Sequence, residues 1–223
     1  MAHARNIGAR TALERGAEVL VFLDVDCIPE AGLADRYHDV AAQPEHCDGL
    51  LCGSVTYLPP RGPGGYDIAD LPNRRDPHPA RPAPPDGVVI DSTRYELFWS
   101  LSFAVTAPTW LRLGGFWPGY RGYGAEDTDF GQRAAELGVP LHWVGGAHAF
   151  HQHHPVSDPP VEHVADIVRN ARLFHDRWGW WPMSGWLDQF EHRGLIYRDE
   201  DRRPHLRTPS AQIPSDHSVN QQL

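Results

Sequence analysis

Cysteine is scarce: Cys27, Cys47 and Cys52 are the three in the chain, with no CxxC pair and no even-numbered framework. That usage suits a reducing compartment and leaves room for one disulfide at most. Long apolar runs are also missing. No stretch approaches the ~20 residues needed to span a bilayer, and the N-terminus has no apolar core of the secretory kind. The expectation is a soluble, cytoplasmic protein with no integral membrane segment, peripheral association being left open. Basic charge is in deficit, 20 basic residues against 29 acidic for a formal net charge of −9, which argues against a nucleic-acid partner. What the chain does have is length for one domain with room for a small appendage, 223 residues. It also has 21 prolines and 14 histidines, both clustered.

HARNIGARTALERG reads as a helix with Ile7, Ala9, Ala12 and Leu13 on one face and Gly16 as its stop. Val19 to Leu23 is a continuous apolar run of strand length, the mark of a strand buried on both faces in an α/β sheet. It ends in Asp24-Val25-Asp26. Ligands of open α/β sheets bind at the carboxyl ends of strands. Alternating acids there point to opposite faces. One can meet a hard divalent ion, Mg²⁺ or Mn²⁺, while the other faces a ribose or orders the loop. A DxD triplet alone is a weak signal, because turns after strands are rich in aspartate.

The most informative stretch is LGGFWPGYRGYGAEDTDFGQRAAELG, Leu113 to Gly138. It reads as a loop bent at Gly114-Gly115 and again through Gly119, Gly122 and Gly124. The chain then enters a helix whose first turn carries Glu126, Asp127 and Asp129, where unpaired N–H groups favour negative charge. Phe130, Ala134 and Leu137 recur at helical spacing before Gly138.

Between these segments, Pro29-Glu30 reads as the opening of a helix to about Ala42, and Gly49 to Leu58 as a strand. Pro59 to Pro85 is a long loop crowded with proline and glycine, either a solvated insertion or a lid over a binding site. Tyr95 to Thr106 is a second apolar segment, and Pro108 begins a short helix. Further on, LHWVGGAHAFHQHHP reads as two strand pieces joined by Gly145-Gly146. If extended, His151 and His153 share a face, and clustered imidazoles are metal ligands. Asp158-Pro159-Pro160 precedes an amphipathic helix through Phe174. In RWGWWPMSGWL, Trp178 reads as packing, while Trp180 and Trp181 offer faces on which a sugar ring could stack. From Asp199 the chain is polar and without periodicity, so 199–223 is expected to be a disordered tail after a domain over 1–198.

The ARN helix, buried strand and DxD resemble family 2 glycosyltransferases of the GT-A fold. The GGF turn, the glycine/aromatic loop and the Glu-Asp pair resemble the same family and the C-terminal part of the β-1,4-galactosyltransferases. The resemblance implies an α/β GT-A-type mixed sheet flanked by helices. It implies inverting transfer of a sugar from a nucleotide-diphosphate donor, UDP-linked by preference, to a carbohydrate hydroxyl, with Mn²⁺ or Mg²⁺ as cofactor. It makes Asp127 the general base and Glu126 an acceptor-holding residue, with Tyr123, Gly124, Trp180 and Trp181 beside it. Arg5, Asn6 and Asp24 fall to the donor. Asp26 falls to the metal together with a downstream histidine, His151 or His153 by position.

Enzymes of this class carry a strand–helix–strand segment before the ARN helix. The reading is therefore of a fold truncated at its N-terminus, whether through a late start, a remnant, or a part supplied by another chain. Two rival readings follow: a non-catalytic carbohydrate-binding or partner protein, and a metallohydrolase using the same Asp and His residues.

Overall fold

Helix-period and strand-period segments alternate along the chain. The computed structural model, which describes residues 2–155 and 157–207, folds them into a mixed sheet with helices on both faces. In order these are α1 (Ala2–Glu14), β1 (Val19–Leu23), β2 (Cys27–Pro29), α2 (Leu33–Ala41), β3 (Leu50–Tyr57), β4 (Val89–Ser92) and β5 (Ser102–Thr106). Then come α3 (Ala107–Leu113), α4 (Glu126–Glu136), β6 (Leu141–His151), α5 (Val164–Trp178), α6 (Ser184–His192), β7 (Ile196–Arg198) and β8 (Pro204–Leu206). The sheet runs β1-β5-β3-β6-β2, and β4 lies beside β6 on the same edge as β2. β3 and β6 are parallel and the other pairs antiparallel.

The alternation of side chains along the strands builds two cores. On one face Leu50, Cys52, Phe103, Leu141 and Trp143 pack under α1, α3 and α4, which contribute Ala9, Trp110, Phe130 and Ala134. On the other, Leu51, Val55, Ala104, Val144 and Ala149 receive Leu33, Tyr37 and Val40 of α2. A third cluster joins Ile167, Val168 and Ala171 of α5 to Leu187 and Phe190 of α6 and Ile196 of β7.

β6 changes partner halfway. Leu141 to Val144 pair with β4 and Ala149 to His151 with β2, across an irregularity opposite Gly53 and Val55. Gly145 sits in that irregularity, where a Cβ would lie 1.9 Å from the carbonyl oxygen of Pro85. Only glycine admits so close an approach of the loop backbone. The break lets the end of β6 carry His151 to the end of β2, beside Asp26.

Several expectations need correction. β1 is not buried on both faces: it is an edge strand paired only with β5 among the described residues, and Val21 is 39 % exposed. Pro29 does not open a helix, because Cys27–Pro29 adds to β6 as β2, and α2 starts after Gly32 in the left-handed region. Tyr95 to Leu97 form a 3-10 turn, so the second apolar segment becomes a strand only at Ser102. The polar stretch expected as tail is ordered through Arg207. β8 pairs with β7, and Asp199 receives the Arg203 N–H and lies 2.7 Å from His205 Nε2. The remainder, 208–223, lies outside the described residues. The three cysteines are free. No described helix is long and apolar enough to cross a membrane.

Phe130 ties α4 to the loop before it, stacked on Phe116 at 4.4 Å and fully buried. Phe130→Ala is expected to lower unfolding stability by roughly 3–5 kcal/mol, read by urea denaturation.

Candidate functional site

The two aspartates that end β1 diverge, as alternating side chains should. Asp24 turns inward. Its Oδ1 lies 2.6 Å from Arg5 Nη2, and its amide donates to the Leu101 carbonyl. Asp26 turns toward the end of β6, where its carbonyl accepts the Gln152 N–H. Val25 between them is 96 % exposed.

Asp26 and two histidines form the one group among the described residues suited to a metal ion. Oδ2 of Asp26 is 3.3 Å from His151 Nε2 and 3.5 Å from His154 Nε2. A carboxylate oxygen with two imidazoles is a donor set that accepts Mn²⁺, and the three ligand atoms converge within 4.8 Å. His153, expected at the metal, does not converge with Asp26. β6 ends at His151 and the chain turns, so spacing i, i+3 brings His154 to Asp26, while the His153 N–H donates to Tyr66 Oη.

Arg5 and Asn6, expected at the donor, have partners within the protein. Arg5 reaches Glu126 as well as Asp24, with Nη1 3.9 Å from Oε1, and its guanidinium lies over Phe116 at 5.2 Å. Asn6 grips the backbone of Phe116, Nδ2 donating to its carbonyl at 2.7 Å and Oδ1 accepting its N–H at 2.9 Å. The ARN motif therefore fastens the GGF turn and the two acid pairs to each other. Arg5 Nη1 and Glu126 Oε2 remain buried without hydrogen-bond partners among the described residues. Buried polar atoms of this kind call for a partner, water or ligand, that the described side chains do not supply.

The acids of EDTD divide by direction. Asp129 is structural: buried, it accepts from Tyr120 Oη at 3.0 Å, Arg177 Nε at 2.8 Å and Trp178 Nε1 at 2.6 Å. Trp178 is thus a packing residue with an anchored indole. Glu126 and Asp127 face the site. Burial pushes the Glu126 carboxyl up to about 7, with the Asp127 charge adding to the shift and Arg5 opposing it. Burial likewise raises Asp127, against the N–H of Thr128 and Arg5. Asp24 is raised by burial too, and held back chiefly by Arg5.

The loop before α4 is held from behind by α5, a support absent from the sequence reading. Asn170 Nδ2 lies within 3.0 Å of the carbonyls of Arg121, Tyr123 and Gly124. Asp166 packs so near Gly122 (φ 68°) that a Cβ there would meet its Oδ2 at 1.9 Å. Ala125, next to Glu126, has φ 75°, a strained angle for a side chain that persists only where surroundings enforce it.

Tyr123 lies beside the acids, 41 % exposed, stacked on His163 at 4.6 Å and 6.0 Å from Trp186. Trp180 instead packs its edge on Phe174 and Trp181 stacks on His175 at 3.9 Å. The tryptophan beside the Gly124 loop is therefore Trp186, carried there by α6, a helix the composition of the segment did not reveal. The i, i+3 spacing of His151 and His154 was visible in sequence, but the turn that uses it was not.

Two measurements follow. Asn170→Ala should cost about 1–3 kcal/mol of stability and quicken amide hydrogen exchange over residues 121–125. Glu126 binds a proton more tightly folded than unfolded. Its contribution is therefore full below pH 4.5 and lost as pH rises to about 7. Glu126→Gln should flatten the fall in melting temperature across that window.

Comparison with known proteins agrees with this architecture. Residues 91–155, which hold Glu126, Asp127, His151 and His154, match a family model described as the N-terminal domain of galactosyltransferase. No curated protein matches the chain. Among solved structures it is similar to GalNAc-T7, crystallised with UDP, GalNAc and Mn²⁺, at 13 % identity and a TM-score of 0.50. The match covers 87 % of this chain and 44 % of that one, so the chain spans less than half its length. The fold is that of a GT-A glycosyltransferase, and residues 91–155 are the part similar to the galactosyltransferase model.

Proposed function

We propose that the chain transfers a sugar from a nucleotide-diphosphate donor, UDP-linked, to an acceptor hydroxyl with inversion. The observation that carries this reading is the pairing of the Asp26–His151–His154 cluster with a separate acid pair, Glu126 and Asp127, joined through Asp24 and Arg5. The similarity to a transferase crystallised with UDP and Mn²⁺ supports it. So does the match to a galactosyltransferase model, although its description does not extend to family 2 or to a C-terminal part. The proposed catalytic unit runs over residues 1–198 and on through the β7–β8 hairpin.

Asp26, His151 and His154 would hold the divalent ion, Mn²⁺ or Mg²⁺. A bound ion there supplies positive charge to a departing diphosphate. Asp127, in the first turn of α4, takes the proton of the acceptor hydroxyl as that oxygen attacks the anomeric carbon. A single base facing the acceptor is what inversion requires. The raised carboxyls make this pair better proton acceptors than surface acids, provided the pH is high enough to ionise them. Glu126 can accept from one acceptor hydroxyl through its unpartnered Oε2. Arg5 positions Glu126 and Asp24. Tyr123, with Trp186 beside it, offers an aromatic wall to the acceptor sugar.

Calorimetry of UDP binding with and without Mn²⁺ tests the reading. Binding should need the ion, be abolished by Asp26→Ala, and fall at least about tenfold in His154→Ala while His153→Ala leaves it unchanged. Asp127→Asn should keep metal-dependent UDP binding and lower transfer by about 10²–10⁴. A folded, metal-loaded protein that ignores UDP would favour the non-catalytic carbohydrate-binding reading. Metal binding indifferent to UDP, with hydrolysis, would favour the metallohydrolase.

A further inference from the structure

Arg81 lies in the proline-rich connection between β3 and β4 and is 7 % exposed. Its guanidinium sits over the ring of Trp143 at 4.7 Å and over that of Trp99 at 5.2 Å. Nε and Nη2 are sealed from solvent and have no hydrogen-bond partner among the described residues. Two other guanidinium groups with little exposure are paired with carboxylates: Arg5 with Asp24, and Arg198 with Glu191 and Asp188. Arg81 has no such carboxylate among the described residues.

A guanidinium stays charged, so neutralisation is not open to it even though burial weakens its hold on the proton. Two ring faces offset only part of the penalty for taking an ion out of water. The position is therefore one anion short.

Its surroundings say which side of the molecule that anion approaches. Trp99 meets His78 at 5.0 Å, His78 meets Tyr57 at 5.8 Å, and Tyr57 meets His151 at 4.8 Å. An aromatic run thus leads from Arg81 to the Asp26–His151–His154 cluster.

We infer that Arg81 is an anion-recognition residue of this site, pairing its guanidinium fork with an oxyanion of the substrate, either a donor phosphate or a sugar carboxylate. Planar, bidentate pairing with such groups is what arginine does best. Because two of its nitrogens are sealed, the connection shifts slightly to admit the ligand. That segment is tied down in part by ion pairs at the surface, Arg75 with Glu30 and with Asp86.

Trp99 and Trp143, under the guanidinium, provide the readout. Tryptophan fluorescence of the full chain would be titrated, without metal, with pyrophosphate, UDP and glucuronate, and with uridine and glucose as uncharged controls. A response to pyrophosphate and UDP identifies the phosphate source, and one to glucuronate the carboxylate source. Arg81→Met should weaken the responding anion at least about tenfold and leave the melting temperature unchanged or raised by roughly 2–4 °C. If that variant does not fold, Arg81→Lys decides, since it keeps the charge and loses the fork. Anion binding as tight in the folded variant as in the wild type, or no response of the wild type to any of the three anions, would overturn the inference.

The inference rests on the proposed function for its choice of anions. Asp26→Ala separates the two: it removes metal-dependent UDP binding if that function is right, and leaves the metal-free anion response at Arg81 in place.

Discussion

The ion pair between Arg5 and Asp24 is the constraint on which the site depends. It joins the first helix to the end of the first strand, and the same guanidinium lies against Glu126 at the start of α4. A few residues near the N-terminus thereby set the spacing between the Asp24–Asp26 turn and the Glu126–Asp127 pair. Asn6 adds a second tie by holding both polar atoms of the Phe116 peptide. Charge held this way is costly to bury and strongly oriented once buried. A site that must distinguish reacting groups by fractions of an ångström needs that rigidity.

Rigidity on the acceptor side has a different source. The glycine loop would be free to wander on its own composition, but Asn170 gathers three of its carbonyls and Asp166 closes over Gly122. Asp129 fastens the other side of the helix start to Tyr120, Arg177 and Trp178. The strained Ala125 is held between these anchors. Polar networks of this kind rigidify the segments they join. The buried atoms left without partners among the described residues in this region are Arg5 Nη1, Glu126 Oε2 and Asn170 Oδ1.

Arginine supplies all 20 basic residues of the chain, which contains no lysine. Every cationic contact therefore has the geometry of a planar fork able both to pair with a carboxylate and to lie on an aromatic ring. Arg5 does both at once, with Asp24 and Phe116. Arg177 does the same with Asp129 and Trp117. Arg81 has the rings without the carboxylate, which sets it apart from its neighbours on physical grounds.

The amino-acid sequence by itself determined the local elements: α1 with its Gly16 stop, the apolar β1 ending in two aspartates, the acidic opening of α4, and the histidine cluster at the end of β6. Each has a cause within a few residues, in side-chain period, glycine freedom or the charge of a helix start. Only the tertiary structure decided what those elements meet. Arg5 and Asn6 turned inward to hold the site, His154 rather than His153 joined Asp26, and Trp186 rather than Trp180 or Trp181 came beside Tyr123. β2 and the β7–β8 hairpin were too short to carry a periodic signal, and β1 became an edge strand because its neighbours in space are not its neighbours in sequence. Asn6 and Phe116 are 110 residues apart, and nothing in the local pattern of either specifies the other. Such pairings arise when helices and strands pack to fill a common core, and packing is a property of the whole chain.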